Sequence, residues 1–162
     1  MSILEKIMNN DYGDSSAIVA AAWLFFFGLT LASVLVGYLL HSWFLSRIFR
    51  KAGIAQGKAW VPYYNIWVFF ELGGQAGWVS LLALIPGAGI IAVVFLYIAA
   101  YNIGAAFQKP GGGWVVLYIF LPLVWLGIVG FDRSTWNPTA MNTAPRYGSN
   151  VRLPTVPQST TP

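Results

Sequence analysis

Between Asp14 and Arg47 the chain carries no acidic or basic side chain except His41. The stretch 17–45, whose centre reads AIVAAAWLFFFGLTLASVLVGYLL, is long enough to cross the roughly 30 Å hydrocarbon layer of a bilayer as one helix. Ser15 or Ser16, behind Asp14, can cap its start, and Tyr38, His41 and Trp43 mark its second boundary. The run is too long for the core of a secretory signal. The lead-in 1–16, with Glu5, Asp11 and Asp14 against Lys6, is not the basic start of one either. The expectation is a retained transmembrane helix.

Composition supports the same class. Charged residues are 9% of the chain and apolar residues 57%, whereas a soluble domain carries about 25% charged residues. So few charges cannot cover a small protein with groups that hold water, so much of its surface faces lipid. Aromatics reach 17%, rich in the Trp and Tyr that favour the membrane boundary. The absence of cysteine excludes disulfides, thiolate catalysis and Cys-ligated metals. One histidine excludes a multi-histidine metal site within a single chain. No cofactor and no catalytic residue is expected.

Residues 46–58 hold Arg47, Arg50, Lys51 and Lys58 with no acid, the strongest orientation signal in the sequence. They place this loop in the cytoplasm and the N-terminus outside. The net charge of +4 is explained by this topology rather than by nucleic acid. Residues 59–73 are apolar but short, with Pro62 and Asn65 at the start and Glu71 near the end. They either cross or dip in and return. Residues 76–107 are the longest uncharged apolar run. Pro86, Gly87 and Gly89 predict a sharp kink or full break there, followed by a helix from Ile90 to Phe107. After a turn at Lys109–Gly113, residues 114–131 form a last apolar span kinked at Pro122 and ended by Asp132 and Arg133.

The domain plan is therefore a polar lead-in 1–16, a helical transmembrane domain 17–133 and a tail 134–162. The tail is rich in Pro, Thr, Ser and Asn and is expected to be disordered. The fold class is an all-α membrane protein of three to four transmembrane helices with Pro/Gly-broken segments. With three crossings the tail lies inside and Lys109 outside; with four the sides of both are exchanged. A short repeat joins the two broken runs: Gly77-Trp78-Val79 leads to Pro86 at the spacing with which Gly113-Trp114-Val115 leads to Pro122. Repeated broken helices are also found where transporters bind substrate.

Several motifs between Phe49 and Arg133 occur in a fixed order. They are Lys51-Ala52-Gly53, Trp60, Pro62-Tyr63-Tyr64-Asn65, the glycines 73, 74 and 77 with Trp78, Ile85-Pro86, Ala106-Phe107 with Lys109, Leu121-Pro122, and Gly130-Phe131-Asp132. In these the chain resembles a family of small, uncharacterised bacterial multi-pass membrane proteins, at about half its length. One departure is Gly89, where that family repeats an asparagine after its second proline. Members are sometimes labelled as resembling signal peptidase. That chemistry needs a Ser nucleophile, an activating Lys and a sizeable external domain to position them, and this sequence offers no such domain. The resemblance implies a bacterial cytoplasmic membrane location and carries no activity.

Six residues stand out within apolar segments: Pro62, Asn65, Glu71, Pro86, Asn102 and Pro122. Glu71 is the one acid there, and intramembrane acids are functional candidates. Asn65 and Asn102 can bond across helices or satisfy carbonyls freed by the prolines. Arg47, Arg50, Lys51 and Lys58 are expected against anionic lipid head groups. The small pairs Gly28/Ala32, Ser33/Gly37 and Ala100/Gly104 allow close helix approach, within the chain or against a partner. The expected function is that of a non-enzymatic accessory or structural subunit of a larger bacterial membrane complex, with other membrane subunits or further copies as partners. The alternative is a small oligomeric transporter or channel built on the broken helices. An enzyme of lipid or envelope chemistry would need His41, Glu71 and Asp132 to converge.

Overall fold

The computed structural model describes residues 2–146, and of residues 4–14 only the backbone. Among the described residues all regular structure is helical. Five α-helices follow in order: α1 Ile3–Lys51, α2 Tyr64–Leu72, α3 Gly89–Ala106, α4 Gly112–Phe120 and α5 Pro122–Phe131. Short 3-10 segments stand at Gln56–Trp60, Gly77–Leu84 and Pro138–Ala140. Two helical stretches are long and apolar enough to cross a membrane, Ser15–Lys51 and Gly89–Ala106. The chain divides into two compact units, after Leu40.

In the first unit every residue from Ser15 to Val36 is exposed. The few hydroxyls do not make that surface polar. Thr30 donates to the Phe26 carbonyl and Ser33 to the Leu29 carbonyl, both one turn back at 2.8 Å. The outward face is therefore Trp23, Phe25, Phe27, Leu31, Val34 and their neighbours. A helix apolar on all sides requires an apolar surrounding.

The second unit has a core of its own. Leu45, Ile48 and Phe49 from the end of α1 meet Val68, Phe69 and Leu72 of α2, Ala99, Ala100 and Ile103 of α3, and Trp125, Leu126 and Val129 of α5. Small residues let these backbones approach. A Cβ on Gly73 would overlap Ala99, and one on Gly130 would press on the Phe44 carbonyl oxygen and Arg47. Burial is concentrated at one end of α3: Ala99–Phe107 is buried but for Tyr101, while at its start Ile90 is 75% exposed.

The breaks lie where the prolines predict. The chain leaves its 3-10 segment at Ile85 in extended conformation and turns through Gly87 at φ +85°, a left-handed value that suits glycine. α3 then runs Gly89–Ala106, close to the expected 90–107. At the other break Leu121 takes φ −137° and ψ 65°, and Pro122 opens α5 at the position where its missing N–H costs nothing.

The second break corrects the sequence reading. A continuous helix over 112–131 would be about 30 Å long and would hold its two ends apart. Instead Lys109, before α4, donates to the carboxylate of Asp132, after α5. The chain therefore reverses at Leu121-Pro122, and α4 and α5 pack as a hairpin. Its tip is apolar, with Phe120 76% exposed. The expected kinked last span is two short helices whose outer ends meet. A proline marks a break without specifying its angle; here the angle is set by the contacts that the ends make.

The tail also differs from the expectation over its described part. Trp136 packs on Phe107 at 5.1 Å between ring centres, and the Asn137 N–H donates to the Ala106 carbonyl at 2.9 Å. Further on, the Arg146 N–H donates to the Glu71 carbonyl at 2.9 Å. An aromatic anchor and carbonyls left over at helix ends hold a segment whose composition alone reads as unstructured. Residues 147–162, Arg152 among them, lie outside the described residues.

Candidate functional site: a charged clamp and a polar-ended groove

Three helix ends meet at Asp132. Lys51, in the last turn of α1, donates to Asp132 Oδ1 at 2.6 Å, to the Val129 carbonyl at 2.7 Å and to Ser134 Oγ at 3.2 Å. Lys109, three residues beyond α3, takes Oδ2. Ser134 Oγ donates back to Oδ1 at 2.5 Å. Burial alone would raise the Asp132 carboxyl. The hydrogen bonds from Lys109, Lys51 and Ser134, with the Lys51 charge, outweigh it and hold the group well below the usual carboxylate range.

Aromatic faces support the cations. Lys51 lies 5.1 Å from the Phe107 ring centre, Lys109 5.4 Å from Trp114, and Arg47 4.9 Å from Phe131. Two lysines on one carboxylate leave a net positive charge, with Arg47, Arg50 and Arg133 nearby in the sequence. Of the four residues expected at lipid head groups, Lys51 is thus committed to the clamp. Arg47 lies over rings, Arg50 is exposed, and Lys58 is 5.9 Å from the Tyr64 ring centre.

A second polar centre joins α2, α3 and the tail. Asn102 is 1% exposed; its Nδ2 donates to the Gly73 carbonyl and to Thr143 Oγ1, both at 2.8 Å. Gly73 is the C-terminal cap of α2, so its carbonyl is one that no further helical turn can satisfy. Glu71 lies beside it and accepts from Trp67 Nε1 at 2.7 Å. Asn65 sits apart, donating to the Ala59 carbonyl at 3.3 Å with its own Oδ1 buried and unpaired. The structure thus brings Glu71 and Asn102 to one neighbourhood. Pro62, Pro86 and Pro122 are exposed at three separate turns.

Next to Asn102, α3 and α4 flank an open groove of about 500 Å³. Val94, Tyr97, Ile98 and Tyr101 line it from α3, and Val115 and Val116 from α4. Asn102, Gly112, Asn142 and Thr143 complete the lining. The tail residues were not singled out from sequence, because nothing in Asn142-Thr143 distinguishes them from the rest of a polar tail. Among the described residues no three of His, Asp and Glu gather as a metal site.

Among the described residues these features define an all-helical protein with two helices long and apolar enough to cross a membrane and a compact second unit closed by a charged clamp. Residues 58–137 match the family model of a family of unknown function, DUF5684. The match covers α2 to α5 and overlaps the stretch Phe49–Arg133 that carries the sequence resemblance. No curated protein and no solved structure matches the chain.

Proposed function

We propose that this chain is a non-enzymatic integral protein of a bacterial cytoplasmic membrane, serving as an accessory subunit of a larger membrane complex. The observation that carries the reading is α1 between Ser15 and Val36, exposed throughout and apolar on every side. Lipid and partner helices supply the surrounding that such a surface requires. The positions where Gly28 and Gly37 would carry a Cβ have nothing within 4 Å, so a partner helix can approach closely there.

In this reading the basic loop 46–58 faces the cytoplasm, with Lys109 and Asp132–Ser134 on the same side, since all are joined through Asp132. α1 crosses once. α2 with the 3-10 segment Gly77–Leu84 passes outward, and α3 returns. The α4–α5 hairpin enters and leaves by one face. Arg47, Arg50 and Lys58 meet anionic head groups, each contributing about 1 kcal/mol.

The transporter reading finds less support. Pro62, Pro86 and Pro122 are dispersed, and neither they nor Glu71 line the groove. The deciding experiment is purification of the protein at native level in mild detergent, with mass spectrometry of what accompanies it. A fixed, stoichiometric set of membrane proteins is expected. A lone homo-oligomer would sink the subunit reading and favour the transporter.

A further inference from the structure

The groove between α3 and α4 is graded along its length. Its polar end holds a buried amide, Asn102, with Thr143 Oγ1 on it, and beside them Asn142 and the α4 start at Gly112. Its other lining is Val94, Ile98, Val115 and Val116 with the rings of Tyr97 and Tyr101. Two position markers orient it. Gly112 is three residues beyond Lys109, and Asn102 is one turn before the end of α3, so the polar end lies toward the clamp. Val94, near the start of α3, lies toward the far end.

We propose that this groove is a binding site for one anionic phospholipid, with an acyl chain along α3 and α4 and the head group at the Asn142–Thr143 end. The proposal rests on the membrane placement given above. The volume falls in the range of ordinary ligand sites, about 300–1,000 Å³. Its apolar lining matches a hydrocarbon chain, and the exposed Asn142 amide and Thr143 hydroxyl, held in place by Asn102, match the ester and phosphate region. The clamp adds charge complementarity. Lys51 and Lys109 against the single Asp132 leave positive charge on the side where the head group would lie. The chain's own remaining segment is a poor occupant, because YGSNVRLPTVPQSTTP carries no continuous apolar run and is interrupted by three prolines. The site also differs from a plain apolar helix face, since the tail residues Asn142 and Thr143 join its lining.

The test uses the full chain in nanodiscs of equal phosphatidylglycerol and phosphatidylcholine, each in turn carrying a photoactivatable acyl chain. Val94 and Val116 are half-exposed groove residues, so Val116→Trp fills the space without entering the core. Val124→Trp on α5, outside the groove lining, is the control. Crosslinks from phosphatidylglycerol are expected on the peptides holding Tyr101 and Val115–Val116. They should fall about tenfold in Val116→Trp, a change of about 1.4 kcal/mol, and persist in Val124→Trp. Circular dichroism melting checks that both variants fold. Crosslinks spread evenly along α1 and the groove, or unchanged by Val116→Trp, would overturn the site. Equal labelling by both lipids would overturn its anionic character. Resistance of the parent protein to alkaline extraction separates the two readings: an extracted protein refutes the membrane placement itself, whereas a retained protein without groove crosslinks refutes the lipid site alone.

Discussion

Lys109 and Asp132 are ion-paired, although the chain between them is long enough to cross a bilayer once. That one contact brings the two ends of the α4–α5 segment to one place and joins them, through Asp132, to Lys51 at the end of α1. Every count of crossings must then place the loop after α1, the loop after α3 and the start of the tail together. Because the chain has no cysteine, single replacements report sidedness cleanly. Ala55→Cys, Pro110→Cys and Thr135→Cys, all at exposed positions, should react with a membrane-impermeant maleimide from the same side of sealed vesicles. Pro86→Cys should react from the other. Opposite labelling of Ala55 and Pro110 would refute the hairpin.

Asp132 accepts from two lysines and one serine, so removing its charge leaves two partly buried ammonium groups facing each other. Hydrogen bonds to charged groups contribute about 1.5–3 kcal/mol each, and Asp132→Asn should lower stability by about 2 kcal/mol. Lys51→Met should cost less in the Asp132→Asn background than alone, by double-mutant cycle. The pH dependence follows from the direction of the shift. The folded carboxyl titrates below its ordinary value of 3.8, so the unfolded chain takes up the proton first as pH falls. The stabilisation is fully present above that value and is lost as pH falls through the folded value. Melting of the parent protein in detergent should show an acid-side decline below about pH 4 that Asp132→Asn lacks. An identical decline in both would remove Asp132 as its source.

Much of the helical plan is readable from the sequence, and the limits have physical causes. The uncharged run 17–45 lies within α1, and Pro86 with its glycines foretells both the break and the start of α3 within a residue. The Trp-to-Pro repeat is real in form, since each proline stands at a break. What the repeat does not contain is direction. At Pro122 the same residue type permits a kinked span or a full reversal, and Lys109 with Asp132 selects the reversal. In sequence Lys109 reads as a turn residue and Asp132 as a helix-ending charge, because a pair 23 residues apart has no local signature. The groove was hidden for a related reason: Asn142 and Thr143 matter only because Trp136 and Arg146 bring the tail back onto α3 and α2.

The junction of α2 and α3 should be intolerant of small changes. Gly73→Ala places a methyl group inside the volume of Ala99, backbone included, and overpacking of this kind costs about 1–3 kcal/mol or more. Asn102→Leu leaves the Gly73 carbonyl and the Thr143 hydroxyl without their donor, at about 1–3 kcal/mol for a buried unpaired group. Asn102→Asp keeps the size but loses both N–H donors, and should not rescue. Thermal unfolding of the three variants in one detergent tests the set. Parent-like stability in Gly73→Ala would mean that the close approach of α2 and α3 is not required.

Glu71 separates a structural role from a transport role. Its Oε1 accepts from the Trp67 indole one turn earlier, and its carbonyl accepts from Arg146. The first bond needs only an acceptor oxygen, which glutamine also presents. Glu71→Gln should therefore change stability by less than about 0.5 kcal/mol, while Glu71→Leu, which leaves the indole N–H unpaired, should cost about 1–3 kcal/mol. A proton- or ion-carrying Glu71 predicts the opposite pattern in proteoliposomes. There, Glu71→Gln would keep the fold and abolish flux, since the amide cannot titrate. Flux through the parent protein that Glu71→Gln removes would return the chain to the transporter class. Absence of flux in both, with intact tryptophan fluorescence in Glu71→Gln, would leave Glu71 as the acceptor that fixes Trp67 against Gly77 at the turn between α2 and its 3-10 neighbour.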